Sequence, residues 1–138
     1  MRLYSKFHIS VMRHLQFQLE RYNMKAINTT PHNVVVIKAD GETVTYKGGS
    51  PLIRVSATTQ CIDNVGGIDI YEETLGDPII DDPEDLLLHY RALIVSRVVA
   101  DKLKGMSEFD AYELYVPGNL VRDNGGNIVG CKGLIKIR

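Results

Sequence analysis

The chain has 138 residues with 44% hydrophobic and 24% charged side chains, which suits one globular domain with an ordinary core and excludes a disordered tail. Its net charge of -1 provides no bulk field to recruit nucleic acid or an anionic membrane. Its two cysteines, Cys61 and Cys131, lie far apart with no CxxC pair, so neither a disulfide framework nor a structural metal site is expected, and a reducing cytoplasm fits best.

The first segment, residues 1–23, differs from the rest. Arg2, Lys6, Arg13 and Arg21 face one acid, Glu20, and Leu3, Phe7, Val11, Leu15 and Leu19 recur every four residues. That spacing puts an apolar stripe on one side of a helix. Arg13 and His14 interrupt the apolar stretch, which argues against a signal peptide. Three readings stay open: a helix packed on the domain or on a second subunit, a membrane-surface helix, or a dispensable extension ahead of Met24. No apolar run approaches the about 20 residues that cross a bilayer. A single β-rich domain is expected over 24–138.

Val34–Ala39 is β-branched, Asp40-Gly41 is a hairpin signal, and "ETVTY" alternates after it. A turn at Lys47–Pro51 leads to "LIRVSATTQ", then a turn at Asn64–Gly67 leads to "IDIYEETL", with Ile68 and Ile70 on one face. Four short strands joined by glycine-bearing turns predict an antiparallel meander. Gly76–Asp85 is an acidic, proline-bounded loop, expected to be solvated. A strand is expected at Tyr90–Val95, with one continuous helix as the alternative, then a helix at Arg97–Lys104 capped by Ser96 and stopped by Gly105. A strand at Tyr112–Val116, ended by Pro117-Gly118, precedes a terminal β-arm. The fold class is therefore α+β: a mainly antiparallel sheet with one or two helices inserted before the C-terminal strands, plus the separate N-terminal amphipathic helix or extension.

Near the C-terminus, "DNGGN" raises the question of a phosphate cradle. Such a loop needs a Lys, a Ser/Thr and a following helix whose N-terminus meets the anion. Here β-branched residues and glycines follow, so the expectation is a hairpin turn with positive φ at Asn124-Gly125-Gly126.

Candidate ligand residues are few. His32, positioned by Pro31 at a strand entrance, reads as an anion donor or general acid, or as a residue that bonds its neighbours. Arg54 alternates with Ser56 and Thr58, giving a phosphate-suited face if covered and a solvated one if not. Arg97 stands in a helix's first turn, where cations are disfavoured unless an anion binds there. Arg122 has no evident local use, and Asp123 beside it can open the turn as an Asx residue. No GxSxG, HExxH or nucleophile with an ordered base occurs, so no catalytic residue, cofactor or metal ligand is assigned.

"INTTPHNVVVI" (Ile27–Ile37), "IRVSATTQ" (Ile53–Gln60), "ALIVSRVVADKL" (Ala92–Leu103) and "LYVPGNLVRDNGGNIVGCKGL" (Leu114–Leu134) resemble, in order, a family of small proteins of bacteriophages and prokaryotic genomes. The loop "DDPEDLLLHYRA" is longer than that pattern. The order of elements is also similar, more loosely, to phage Thoeris anti-defence nucleotide sponges. That likeness implies a homo-oligomer in the host cytoplasm that sequesters a nucleotide-type small molecule without catalysis. Arg54, Arg97, Arg122 and Asp123 would line its pocket near a subunit boundary, with His32 and Asn119 as second choices. The alternatives are a phosphodiesterase-like enzyme using His32, and a structural or virion-associated oligomer with no small-molecule ligand.

Overall fold

A computed structural model of the chain describes residues 25–138; the helix or extension expected over residues 1–23 lies outside them. Strands β1 (Ala26–Asn28), β2 (Val34–Ile37) and β3 (Thr43–Tyr46) are followed by β4 (Leu52–Arg54), β5 (Ala57–Val65), β6 (Ile68–Leu75) and β7 (Ile79–Asp81). A 3-10 segment at Pro83–His89 leads to β8 (Ala92–Ile94), helix α1 (Arg97–Leu103), a short 3-10 turn at Ser107–Phe109, and finally β9 (Glu113–Arg122) and β10 (Ile128–Lys136). The fold is α+β. Antiparallel pairs join β9 to β10, β2 to β3, β4 to β7 and β5 to β6.

The main sheet has six strands in the order β1-β8-β9-β10-β2-β3. Three of its five pairings are parallel: β1 runs with β8, β8 with β9, and β10 meets β2 at Cys131 opposite Val36, while the central β9–β10 pair is antiparallel. The β8–α1–β9 stretch is a crossover unit, which explains why β8 is apolar throughout rather than alternating. Leu93, Ile94 and Val95 are all fully buried. Alternation divides them: Leu93 and Val95 pack with Val99, Leu103 and Leu114 in the larger core cluster, whereas Ile94 packs with Val34 and Cys131 in a smaller one.

Helix α1 begins where the sequence says it should. The Ser96 hydroxyl accepts from the Val99 amide at 3.4 Å. Its far end is held by Arg138, whose guanidinium donates to the carbonyls of Leu103 at 3.4 Å and Lys104 at 3.0 Å, placing a cation on the negative end of the helix. The same guanidinium donates to Phe109 O, tying the C-terminus to the turn after the helix.

Two expectations are corrected. The four strands from Val34 to Leu75 do not form one meander. After β3 the chain is pulled back toward β1, with Gly49 N donating to Thr30 O at 2.9 Å and Ile53 N to Thr29 O at 3.1 Å. β4 then pairs with β7, and among the described residues β5 and β6 pair only with each other. The second correction concerns β9, which passes through Pro117-Gly118 instead of ending there. β8 accompanies it only as far as Tyr115, so Pro117 stands beyond the last β8 pairing, where a missing N–H breaks no central ladder.

The acidic loop is held in part by one of its own carboxylates. Asp82 accepts from the Leu87 amide at 3.3 Å, while Glu84 and Asp85 occupy left-handed backbone at φ 62° and 52°.

Candidate functional site

The segment Asn28–Asn33 joins β1 to β2 and is built around a buried amide. Asn28 Nδ2 donates to His32 O at 2.7 Å and Tyr46 O at 2.8 Å, and its Oδ1 accepts from Thr30 N at 3.0 Å and Thr30 Oγ1 at 2.7 Å. The hydroxyl of Thr29 donates to Ile94 O at 2.8 Å, linking the segment to the central strand. Asn28 and Thr29 are each 1% exposed, so this network is internal framework. Half-burial also pushes the pKa of the neighbouring Tyr46 phenol upward, keeping it neutral.

Beside this network, a cleft of about 560 Å³ opens where β8 ends and β9 and β10 run on. Val34, Val95, Pro117, Leu120, Ile128 and Val129 make it mainly apolar, and Thr30, His32, Asn33 and Ser96 add polar groups. Cys131 lies buried at its floor, with its thiol 3.5 Å from Val35 O. The size falls within the range of small-ligand pockets, about 300–1,000 Å³. Among the lining residues there is one candidate from the sequence, His32, and no carboxylate or arginine.

The other candidates lie outside this lining. Arg54 is exposed at the end of β4, opposite Ile79. The strand expected to carry Arg54, Ser56 and Thr58 on one face is broken after Arg54, and all three residues are exposed. Arg97 is exposed in the first turn of α1. Arg122 has a local use after all: its Nη1 donates to Gly126 O at 2.9 Å, closing the β9–β10 hairpin. Asn119 adopts φ 55° within β9, a left-handed position that asparagine tolerates better than most side chains.

Asp123 organises the same turn. Its Oδ1 accepts from Gly125 N and Asn127 N, both at 2.9 Å, and Gly126 alone of Asn124, Gly125 and Gly126 takes positive φ, 82°. "DNGGN" is thus a hairpin turn. The Asn127 amide is the largest cause of a lowered Asp123 pKa; partial desolvation opposes it, and the Gly125 amide and Asn127 side chain add to it. Because the folded pKa is depressed, the carboxylate's contribution is present above the ordinary value of 3.8 and lost as pH falls through the folded one. Urea titrations should therefore find Asp123→Ala less stable than wild type at neutral pH, with the gap narrowing below pH 3.8. A gap independent of pH would show that the ionised form has no part in the turn.

The most conspicuous exposed feature was not singled out in the sequence. β5 and β6 form a hairpin closed by Gly66-Gly67, both at positive φ (61° and 85°), as a two-residue turn requires. Every residue from Ala57 to Thr74 is exposed. Val65 pairs with Ile68, and Ile70 falls on the same face two residues on; their exposures are 60%, 67% and 39%. A register shift between Cys61 and Asp63 sets Ile62 out, 57% exposed.

Among the described residues, no three His, Cys, Asp or Glu side chains group to hold a metal ion, and no helix is long and apolar enough to cross a membrane. Comparison with models of protein families, with curated proteins and with solved structures finds no match to the chain.

Proposed function

We propose that the protein is a structural subunit that assembles with further copies of itself through the β5–β6 arm, and that it is not an enzyme. One observation carries this reading: a hairpin of nine- and eight-residue strands pairs with no other strand among the described residues and exposes both faces from Ala57 to Thr74. Nine residues of strand reach about 30 Å. A two-stranded hairpin is marginally stable at best in water. An apolar tip of Val65, Ile68 and Ile70 gives this one a reason to be covered, since contiguous exposed apolar surface marks interaction sites.

The test is the mass of the full chain in solution. Burying a side chain of this size stabilises by about 1.5–3 kcal/mol, so Ile68→Asp/Ile70→Asp removes about 3–6 kcal/mol of association free energy. That weakens assembly by roughly 10²–10⁴-fold. Light scattering should find wild type oligomeric and the double variant monomeric with an unchanged circular-dichroism spectrum. A wild-type monomer at all concentrations sinks the reading.

The anionic-ligand reading has a specific observation of its own: His32 and Ser96 beside an apolar cleft of ligand size. Under it, the chain sequesters a nucleotide-type molecule, in keeping with the looser likeness of its element order to the phage nucleotide sponges. It expects adenine-type diphosphates to raise the melting temperature and His32→Ala to abolish the rise. Absence of a shift across a nucleotide panel would end it.

A further inference from the structure

The arm needs a receiving surface, and the same chain offers one. We infer that the tip of the β5–β6 arm seats in the cleft between β2, β9 and β10 of another copy; this rests on self-assembly through the arm and names the surface it uses.

The two surfaces match in polarity. The arm tip presents Val65, Ile68 and Ile70 on one face, and the cleft's outer wall presents Leu120, Ile128 and Val129, which are 53%, 54% and 47% exposed. Each set is open to solvent on the isolated chain, and each gains by covering the other.

They also match in charge. Between Ala57 and Leu75 the arm carries Asp63, Asp69, Glu72 and Glu73 and no lysine, arginine or histidine. The cleft has no carboxylate among its lining residues and has His32 at its edge. Its lining is continued along the chain by cations: Arg97 follows Ser96, and Arg122 lies two residues beyond Leu120, with the neighbouring Asp123 held by the turn amides of Gly125 and Asn127. Both arginines are exposed. Arg122 spends one N–H on Gly126 O, an uncharged partner, and keeps its charge. An acidic arm entering an apolar cleft with basic surroundings is favoured in orientation as well as in burial.

Arm and cleft are different patches, so the contact is heterologous unless two copies exchange arms; head-to-tail docking gives a ring where its rotation closes and a filament where it does not, and mutual exchange closes a dimer. The arm also supplies a chemical reporter. Cys61 is an exposed thiol on β5, and the cleft wall has none at its surface, because Cys131 is buried.

The experiment uses the full chain at neutral pH in four forms: wild type, Ile68→Asp on the arm, Leu120→Asp on the cleft wall, and Ile128→Cys for cross-linking to Cys61. Both altered apolar positions are exposed, so their loss leaves the fold intact, checked by circular dichroism. The expected result is an oligomer for wild type, association at least about tenfold weaker for each aspartate variant, and an intermolecular disulfide in oxidised Ile128→Cys that disappears when Cys61→Ser is added. Dissociation by Ile68→Asp with Leu120→Asp fully assembled and no disulfide would overturn cleft docking while leaving arm-mediated assembly standing. A monomeric wild type overturns both, including the case in which residues 1–23 of the same chain cover the arm.

Discussion

Gly48→Ala is expected to lower stability by about 3 kcal/mol, a large share in a domain whose total is about 5–15 kcal/mol. A Cβ at this position would lie 2.6 Å from the carbonyl carbon of His32 and 2.7 Å from Thr30 O, and closer still to His32 O. All are backbone atoms, so no side-chain rotation relieves the overlap. Moving the segment away would break the bond from Gly48 N to Asn33 Oδ1 at 3.0 Å and that from Gly49 N to Thr30 O at 2.9 Å. Gly49→Ala is the control. Its φ of +97° strains any other residue, but no heavy atom lies within 4 Å of the added carbon, so the cost is about 1 kcal/mol. Urea denaturation of the pair separates overlap from strain; equal losses would show that the close approach of the two segments is not what Gly48 serves.

Asn28→Ala should cost about 3–5 kcal/mol by the same measurement. The amide serves four bonds at once, two as donor and two as acceptor, in a site 1% exposed. Alanine would take the acceptor from Thr30 N and one donor each from His32 O, which keeps the Thr30 hydroxyl at 3.0 Å, and from Tyr46 O. Aspartate would keep both acceptor bonds but set a carboxylate oxygen against two carbonyls, so it offers no rescue. A loss below about 1 kcal/mol would show that water takes the place of the amide and that the β1–β2 connection does not depend on it.

These two positions show where the sequence was legible and where it was not. Local signals were legible. Ser96 before Arg97 gave the helix start, Asp40-Gly41 and Gly66-Gly67 gave turns, and the absence of a helix after "DNGGN" argued for a hairpin. Each depends on residues within a few places of one another. Pairing between distant segments was not. Nothing in "LIRV" distinguishes a partner at β3 from one at β7, and the outcome is decided by Thr29, Thr30 and Asn33 drawing the chain back at Gly48 and Gly49. The Asn28-Thr29-Thr30 run carried a signal, since such side chains turn on their own backbone, but only the fold gives Asn28 its partner at Tyr46.

The site was harder for a related reason. Arg122 looked unused because its partner, the Gly126 carbonyl, is set by the turn geometry and not by residue type. His32 was found, but its place beside Ser96 and the apolar wall of the cleft come from β9 and β10 brought beside β2, which no local pattern contains. The arm shows the same blindness from the other side. Ile68 and Ile70 on one face read as the inside of a strand, and alternation is identical whether that face packs on its own domain or on another molecule.

Hydrogen exchange at the arm amides, Thr58 to Thr74, followed across a dilution series of the wild-type chain, tests arm-mediated assembly most directly. The account predicts slow exchange at high concentration that becomes fast on dilution, in step with the fall in mass, because a hairpin this exposed is protected only when seated on a second copy. Exchange at one rate at every concentration, in a protein whose mass stays that of one chain, would contradict it.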